Sequence, residues 1–273
     1  MDSLNPKILI IGAGNMGRAF YNGLSHAVDA DHVWVSDRNQ EKIDVLAEKA
    51  RLINRAFIGS TDIIKFVESA DWVILAVKPQ GFDELMKSLG DRLKNKLIFS
   101  IMAGITLDQL QQKTGSDQVI RAMPNLPVSV GEGVIGWVGS SQLDPSHSQK
   151  ISKLLKTMGQ TVACATEDQL NQLTVISGCG PGYFAFFAHI MAARAKSYGF
   201  SDQSAEAMVK QTLKGAAAWM SSVTMSSQEC ADSVACKGGL TEAAISHMKA
   251  SGLEEIFADA MQKALDRNSE LSQ

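Results

Sequence analysis

Short, largely apolar runs alternate with polar, glycine-containing stretches through the first half of the chain. The clearest are Ile8–Ile11, Trp72–Val77, Leu97–Ile101 and Val119–Met123. Such runs are typical of strands that are buried on both faces of a parallel sheet. Weaker patterns predict further strands at His32–Ser36, Arg55–Ile58, Gly131–Gly139 and Thr161–Ala165.

Helical patterns connect these runs and replace them in the second half of the chain. The earlier ones cover Arg18–Ser25, Gln40–Ala50, Ile63–Glu68 and Ser148–Met158. The later ones cover Glu167–Ile176, Gly182–Tyr198, Ser201–Ser222, Ser227–Val234 and Thr241–Leu271, with no strand-like run between them. Alternating strands and helices predict an α/β domain with a doubly wound, mostly parallel sheet over residues 1–165. An all-helical domain follows over residues 166–273.

One helical stretch, Tyr183–Ala188, is apolar on all sides. A helix of this kind is expected to be buried all round. In a small helical domain it packs either against a second subunit or within the core of its own domain, and both interpretations stay open.

Three glycines follow the first strand with the spacing G-x-G-x-x-G, at Gly12, Gly14 and Gly17. The first allows a tight exit from the strand, the second lets a pyrophosphate approach the backbone, and the third lets the next helix lie close to the sheet. The free N–H groups and the dipole of that helix favour phosphate. The loop therefore predicts a Rossmann-type dinucleotide site, with Ala13, Asn15 and Met16 completing the contact set.

Asp37 and Arg38 end the second predicted strand, where this fold meets the adenosine ribose. Asp37 lies 25 positions after Gly12, where about 20 is usual. A carboxylate accepts from a 2′-hydroxyl and repels a 2′-phosphate, whereas Arg38 can pair with that phosphate. The choice between NADH and NADPH stays open. A second interpretation makes Asp37 a turn-former that caps the helix from Gln40.

Two later strands end in segments predicted to border the cofactor. Pro79 cannot donate to a strand ladder and stops its strand at the carboxyl end, which is the edge where ligands bind in an open parallel sheet. The residues predicted to lie there are Ala76, Val77, Lys78, Pro79, Ala103 and Gly104. Lys78 has a second interpretation as a solvated surface lysine.

Composition limits the partners and the location of the protein. The net charge of −3 gives no electrostatic reason to expect nucleic acid or an anionic membrane. The N-terminus lacks the features of a signal peptide, and no uninterrupted apolar run approaches the roughly 20 residues that span a bilayer. The cysteines lack C-x-x-C spacing, so neither a metal site nor a disulfide framework is predicted. We expect a soluble cytoplasmic protein.

Several segments together resemble the pyrroline-5-carboxylate reductase family, whose members catalyse the last step of proline synthesis. They are residues 12–17, 76–79, 103–107, Arg121–Pro127, Ser177–Tyr183 and Lys237–Ala243, the last resembling a glycine–glycine–threonine substrate loop. The resemblance spans nearly the whole chain. It implies NADH- or NADPH-dependent reduction of the C=N bond of Δ1-pyrroline-5-carboxylate to L-proline, by a homodimer or a larger homo-oligomer built from dimers.

The chain departs from the family pattern around the expected substrate. The departures are Leu126, Cys179, Gly182, Cys236, Lys237 and Leu240. They leave the identity of the cyclic imino acid open, and they do not affect the expected fold.

The substrate loop has a chemistry that its residues support on their own. Gly238 and Gly239 precede Thr241, which is predicted to start a helix with Glu242 in its first turn. Backbone N–H groups at such a turn, including the one at Leu240, suit a small carboxylate. By resemblance, Thr241 takes the family's functional threonine position, where its hydroxyl can orient an imine nitrogen. As an N-cap alone, it would contribute about 1 kcal/mol to the helix.

Three further residues are expected to wall the substrate pocket against the nicotinamide face. They are Pro181, Met123 and Asn125. Asn125 has two interpretations, because its amide can bond the cofactor or brace the turn from Pro124 to Pro127.

Three other functions compete with imine reduction of a five-membered ring. A β-hydroxyacid dehydrogenase needs a lysine early on the first long helix of the second domain, and Gly182–Ala193 offers none. A redox-sensing dinucleotide-binding dimer has no need of the loop at Gly238. A reductase for a six-membered cyclic imino acid is compatible with the departures from the family pattern.

Overall fold

An eight-stranded sheet forms the centre of the first of two units in the computed structural model, which describes residues 5–271. The strands are β1 (Ile8–Ile11), β2 (Val33–Ser36), β3 (Ile58–Ser60), β4 (Trp72–Leu75), β5 (Leu97–Ser100), β6 (Val119–Pro124), β7 (Gly133–Gly139) and β8 (Gly159–Ala163). Their order is β3-β2-β1-β4-β5-β6-β7-β8. All neighbours are parallel except β6 and β7. The predicted doubly wound, mostly parallel sheet is confirmed.

Helices of this unit connect the strands, and α7 follows the last of them. They are α1 (Asn15–Leu24), α2 (Gln40–Leu52), α3 (Ile64–Val67), α4 (Phe82–Leu89), α5 (Leu107–Thr114), α6 (Pro145–Leu155) and α7 (Glu167–Leu173). The helical part that follows contains α8 (Gly180–Ser197), α9 (Asp202–Ser222), α10 (Ser227–Val234), α11 (Leu240–Ala250) and α12 (Leu253–Leu271). A π-helix, Thr174–Gly178, joins α7 to α8.

The uninterrupted apolar runs have a simple cause, because alternate residues of one strand enter different cores. Ile8 and Ile10 of β1 pack in one buried cluster, whereas Leu9 and Ile11 pack in another. Successive side chains of a strand point to opposite faces of the sheet. Both faces of β1 are therefore covered, and all four of its residues are buried.

Most element boundaries differ from the prediction by one to three residues, and local hydrogen bonds explain the difference in β3 and β8. β3 begins at Ile58 because Arg55 bonds the hydroxyl of Ser25 and the carbonyl of Ala56 accepts from Tyr21, both on the α1 side. Similarly, β8 runs from Gly159 to Ala163 and ends before Ala165, whose N–H donates to the side chain of Gln169.

The predicted helix Thr241–Leu271 is wrong as a single element. It is divided into α11 and α12 at Ser251 and Gly252. Gly252 adopts a φ of 75°, and a left-handed residue at this point ends α11 in the way typical of glycine.

The chain divides into two compact units at Cys179 and Gly180. The first contains the sheet and, within the described residues, also Leu265–Leu271 from the end of α12. The second is Gly180–Ala264 and is entirely helical. The boundary predicted after residue 165 stays a prediction.

The apolar helix α8 is not buried all round within the described chain. Only Gly180, Ala192 and Ala195 of its residues are buried, whereas Phe184 and Phe186 are 59% and 64% exposed. By length and composition alone, the continuous helical segment Glu167–Ser197 could cross a membrane. A single helix of this kind is weak evidence for a membrane, because an apolar subunit interface has the same composition.

Candidate active site

The glycine loop lies at the point where the order of the sheet reverses, between β1 and β4. Gly12 follows β1 with a φ of 110°, and a Cβ added there would lie 2.5 Å from the carbonyl oxygen of Ala76. A Cβ on Gly17 would collide with the carbonyl oxygen of Gly12. The two outer glycines are therefore required by the close approach of α1 to the ends of these strands.

Gly14, the middle glycine, leaves the space in front of the loop open. No atom lies within 4 Å of a Cβ built on Gly14. Gly14 is the N-cap of α1, whose first turn contains no acidic residue. The N–H groups of that first turn, at Asn15, Met16 and Gly17, have no intrahelical partner and suit a phosphate. The loop therefore fits the pyrophosphate of a dinucleotide.

Asp37 lies at the end of β2 and is bound to the glycine loop. Its Oδ2 accepts from Ala13 N at 2.8 Å and from Lys42 Nζ at 3.2 Å, and its Oδ1 accepts from Asn39 N at 2.9 Å. Burial acts to raise the pKa of this carboxyl, but the hydrogen bonds and the charge of Lys42 outweigh it and lower the pKa below its usual value. Asp37 is thus a buried, ionised group.

Asp37 does not cap α2. The N-cap is Asn39, whose side chain accepts from Glu41 N. The interpretation of Asp37 as the cap of this helix was therefore wrong. Arg38 is exposed, and its guanidinium lies 3.7 Å from the carboxylate of Glu84. An exposed pair at this distance contributes little.

The segments after β4 and β5 lie at the same edge of the sheet as the glycine loop. Ala76 N donates to the carbonyl of Ile11, which places residues 76–79 beside the end of β1. Lys78 is exposed, Val77 is half-buried, and Pro79 opens a short 3-10 turn. After β5, Ala103 is exposed, whereas Gly104 packs against the backbone of Leu271.

Asn125 has both ends of its amide engaged within the first unit. Its Nδ2 donates to Ser177 O at 3.0 Å, and its Oδ1 accepts from Val134 N at 2.9 Å. The side chain is buried, and it ties the end of β6 to β7 and to the π-helix. These bonds favour a bracing role for Asn125. Half-buried Met123 lies close to Gly178 at the end of that π-helix.

Arg121 forms a buried polar cluster that the sequence-based reasoning missed. Its side chain is 1% exposed, and it donates to Glu167 Oε1 at 2.8 Å and to Asn171 Oδ1 at 3.0 Å. Leu107 N donates to the same Glu167 oxygen. A lone arginine inside an apolar strand is the signal that could have shown it, since a buried cation needs an anionic partner.

In the second unit, the loop before α11 forms a turn whose amides are partly occupied. Gly239 N donates to the carbonyl of Cys236, and Gly238 N donates to Glu242 Oε2 at 2.5 Å. The N–H groups of the first turn of α11, including those of Leu240 and Thr241, have no intrahelical partner. The side chain of Leu240 is almost fully exposed.

Thr241 is the second residue of α11 and does not start it. The N-cap is Gly239, which makes no side-chain cap. The interpretation of Thr241 as the N-cap was therefore wrong, and its hydroxyl is available to a ligand. Pro181 lies in the first turn of α8, directly after the π-helix. Proline has no N–H to donate to the residue four positions earlier, and that residue's carbonyl, Ser177 O, accepts from Asn125 Nδ2 instead.

Fold and glycine loop together define a Rossmann-type dinucleotide-binding protein with a helical C-terminal part. Residues 167–271 match the family model of pyrroline-5-carboxylate reductase dimerisation, and residues 7–104 match that of NADP oxidoreductase, coenzyme F420-dependent.

The whole chain matches proteins named pyrroline-5-carboxylate reductase. The chain is 32% identical to a pyrroline-5-carboxylate reductase of Pseudomonas aeruginosa, over 98% of this chain and 97% of that protein. It is 30% identical to one of Staphylococcus aureus, over 97% of this chain and 98% of that protein. A solved pyrroline-5-carboxylate reductase of Coxiella burnetii has a TM-score of 0.89 and 28% identity, with 98% and 99% of the two chains covered. The chain belongs to the pyrroline-5-carboxylate reductase family.

Proposed function

We propose that the protein reduces the C=N bond of Δ1-pyrroline-5-carboxylate with NADPH or NADH and so forms L-proline. The observation that carries this proposal is the match of the whole chain, through both units, to proteins named pyrroline-5-carboxylate reductase. The glycine loop supports it, because its geometry suits a dinucleotide pyrophosphate.

The cofactor site of this proposal is formed by the edge of the sheet. Gly12–Gly17 hold the pyrophosphate through backbone N–H groups and the dipole of α1. Residues 76–79 and 103–104 border the rest of the dinucleotide, and Arg38 faces the adenosine end. When bound, the reduced nicotinamide supplies the hydride.

The substrate site of this proposal is formed by the loop before α11. The N–H groups of Leu240 and Thr241, joined by that of Gly238 when Glu242 releases it, bind the substrate carboxylate, since a helix N-terminus favours an anion. Gly239 lines the loop, but its N–H is used by the carbonyl of Cys236. The Thr241 hydroxyl hydrogen-bonds the ring nitrogen and orients the C=N bond. A threonine hydroxyl is too weakly acidic to protonate the imine, so the nitrogen receives its proton from solvent or arrives as the iminium.

Met123 and Asn125 of the first unit and Pro181 of the second are proposed as pocket residues from the resemblance to the family. Met123 and Pro181 are the apolar members of this set. Asn125 acts by holding the π-helix through Ser177, as its two hydrogen bonds indicate.

We further infer that the protein is a homodimer associated through its helical part, and that it acts in the cytoplasm. Residues 167–271 match a model described as a dimerisation domain. Exposed Phe184, Phe186, Ile190 and Met191 on α8 give a larger apolar surface than a monomer leaves in water.

A steady-state assay tests the proposed function. Purified protein should oxidise NADPH or NADH only after pyrroline-5-carboxylate is added, and proline should accumulate in equal amount. If the protein turns over the six-membered cyclic imino acid and not the five-membered one, the six-membered compound is its substrate. Dinucleotide binding without turnover of either compound would contradict the proposal and favour a sensor.

A further inference from the structure

Asp37 lies at the end of β2, where the acidic residue of a dinucleotide-binding fold commonly binds the adenosine ribose. In this structure its oxygens are used inside the chain. Oδ2 accepts from Ala13 N and Lys42 Nζ, and Oδ1 accepts from Asn39 N. Its side chain is 7% exposed. A carboxylate offers about four acceptor positions, so three of them are already filled.

The bond to Ala13 matters most, because Ala13 lies between the first two glycines of the loop. A charged acceptor at 2.8 Å fixes the direction of that N–H toward Asp37, and therefore fixes the path of the loop around Gly14. Lys42 neutralises the carboxylate from α2. The three contacts together keep an ionised group stable although it is buried.

We propose that Asp37 is a positioning residue that holds the glycine loop in its pyrophosphate-binding form, and that it does not select between NADH and NADPH. The proposal rests on the cofactor site of the proposed function. The neighbouring side chain of Arg38 then selects between NADH and NADPH. It is 90% exposed and lies 3.7 Å from Glu84. Its guanidinium can pair with a 2′-phosphate, whereas Lys42 is already paired with Asp37. An acidic residue at this position therefore does not make this chain an NADH enzyme.

Direct binding of each dinucleotide tests this assignment without any imine substrate. The dissociation constants of NADPH and NADH are measured by calorimetry for the wild type, Asp37→Asn and Arg38→Ala. Asp37→Asn should raise both constants by about tenfold and leave their ratio unchanged, because a charge-assisted bond to the shared loop is lost. Arg38→Ala should raise the constant for NADPH by about tenfold or more and leave that for NADH unchanged. Asp31→Asn, an exposed acid before the same strand, is the matched control.

Exchange of the Ala13 amide proton gives a second readout in the absence of nucleotide. Asp37→Asn should speed this exchange, whereas Asp31→Asn should not. If Asp37→Asn is too unstable to purify, Lys42→Met serves in its place, and it should weaken both dinucleotides equally by a smaller factor.

Selective loss of NADH binding in Asp37→Asn would identify Asp37 as a ribose ligand and overturn the proposal. Unchanged binding of both dinucleotides, or unchanged exchange at Ala13, would do the same. A wild type that binds neither dinucleotide would overturn the proposed function as well. A wild type that binds dinucleotide without reducing pyrroline-5-carboxylate would leave the assignment of Asp37 intact.

Discussion

Arg121 of β6 and Glu167 of α7 form a buried ion pair, with 2.8 Å between Nη1 and Oε1. The arginine is 1% exposed and the glutamate 29%. Loss of the glutamate is therefore more costly than loss of the arginine. A glutamate without its partner can be hydrated, whereas the arginine would remain charged inside the protein.

We therefore expect Glu167→Ala to destabilise the protein by about 3 kcal/mol or more. Arg121→Met should cost less, since a methionine fills part of the same volume. The double variant should cost less than the sum of the two. Urea unfolding measures all three, and additive losses would show that the pair is not coupled. Arg51→Ala is the control, because its bond to Glu48 lies in solvent and should contribute little to stability.

Asp37 gives the stability of the protein an acid-sensitive part. Its pKa is lowered in the folded state by hydrogen bonds from Asn39, Ala13 and Lys42 that together outweigh burial. A group with a lowered folded pKa stabilises the protein above its unfolded pKa, about 3.9 for aspartate, and loses this effect as the pH falls further. The difference in unfolding free energy between wild type and Asp37→Asn should be constant near neutral pH and shrink below about pH 4.

Urea titrations of the two proteins at a series of pH values measure this difference directly. Asp31→Asn again serves as control and should show a small difference at every pH. A difference that grows as the pH falls would contradict the lowered pKa of Asp37.

The sequence predicts a structural feature well where only one residue type can form that feature. Gly12 and Gly17 are predictable because only glycine tolerates the approach of Ala76 and of the loop's own backbone. Asp37 is predictable as a polar residue at the end of β2, but its partners are not, since the glycine loop brings Ala13 to it and α2 brings Lys42.

For the same reason, the sequence does not predict which distant residues form a pair or which apolar side chains are exposed. The charge of Arg121 inside an apolar run indicates that a partner exists, but nothing in the sequence selects Glu167, 46 residues away. The apolar pattern of α8 predicts that the helix is covered. It does not show that Phe184 and Phe186 are exposed within the described chain.

Thr241 should affect turnover without affecting the cofactor. Thr241→Ala is expected to lower kcat by at least about tenfold and to leave the dissociation constant of NADPH unchanged, because an orienting hydrogen bond is lost. Since Gly239 is the N-cap, the free energy of unfolding should change by less than about 0.5 kcal/mol. Steady-state kinetics and urea unfolding test both statements.

Thr212→Ala provides the control, because Thr212 is another helical threonine, is exposed, and bonds the carbonyl of Met208 in its own helix. If Thr241→Ala weakens cofactor binding as much as turnover, the hydroxyl supports structure and does not orient the substrate.

Glu242 competes with the substrate in the proposed site. Its carboxylate already accepts from Gly238 N, an amide that the proposed function assigns to the substrate carboxylate. Glu242→Gln removes the negative charge, so KM for pyrroline-5-carboxylate should fall by about threefold to tenfold. The same variant should not change KM for 1-pyrroline, which lacks the carboxylate.

Glu254→Gln, in the first turn of α12, is the matched control and should change neither constant. A rise in KM for pyrroline-5-carboxylate in Glu242→Gln would mean that Glu242 organises the loop for binding instead of competing with the substrate.

Association of two subunits through α8 can be tested on the purified protein. Phe186 is 64% exposed within the described chain, and its neighbours on the helix are also apolar. Phe186→Glu should shift the protein from dimer to monomer in sedimentation velocity, because a buried unpaired carboxylate is costly at an apolar interface. Leu52→Glu, at a position of similar exposure on α2, should leave the mass unchanged. A Phe186→Glu protein that sediments as the wild type would place the interface on another surface, since the charge would then have remained in water.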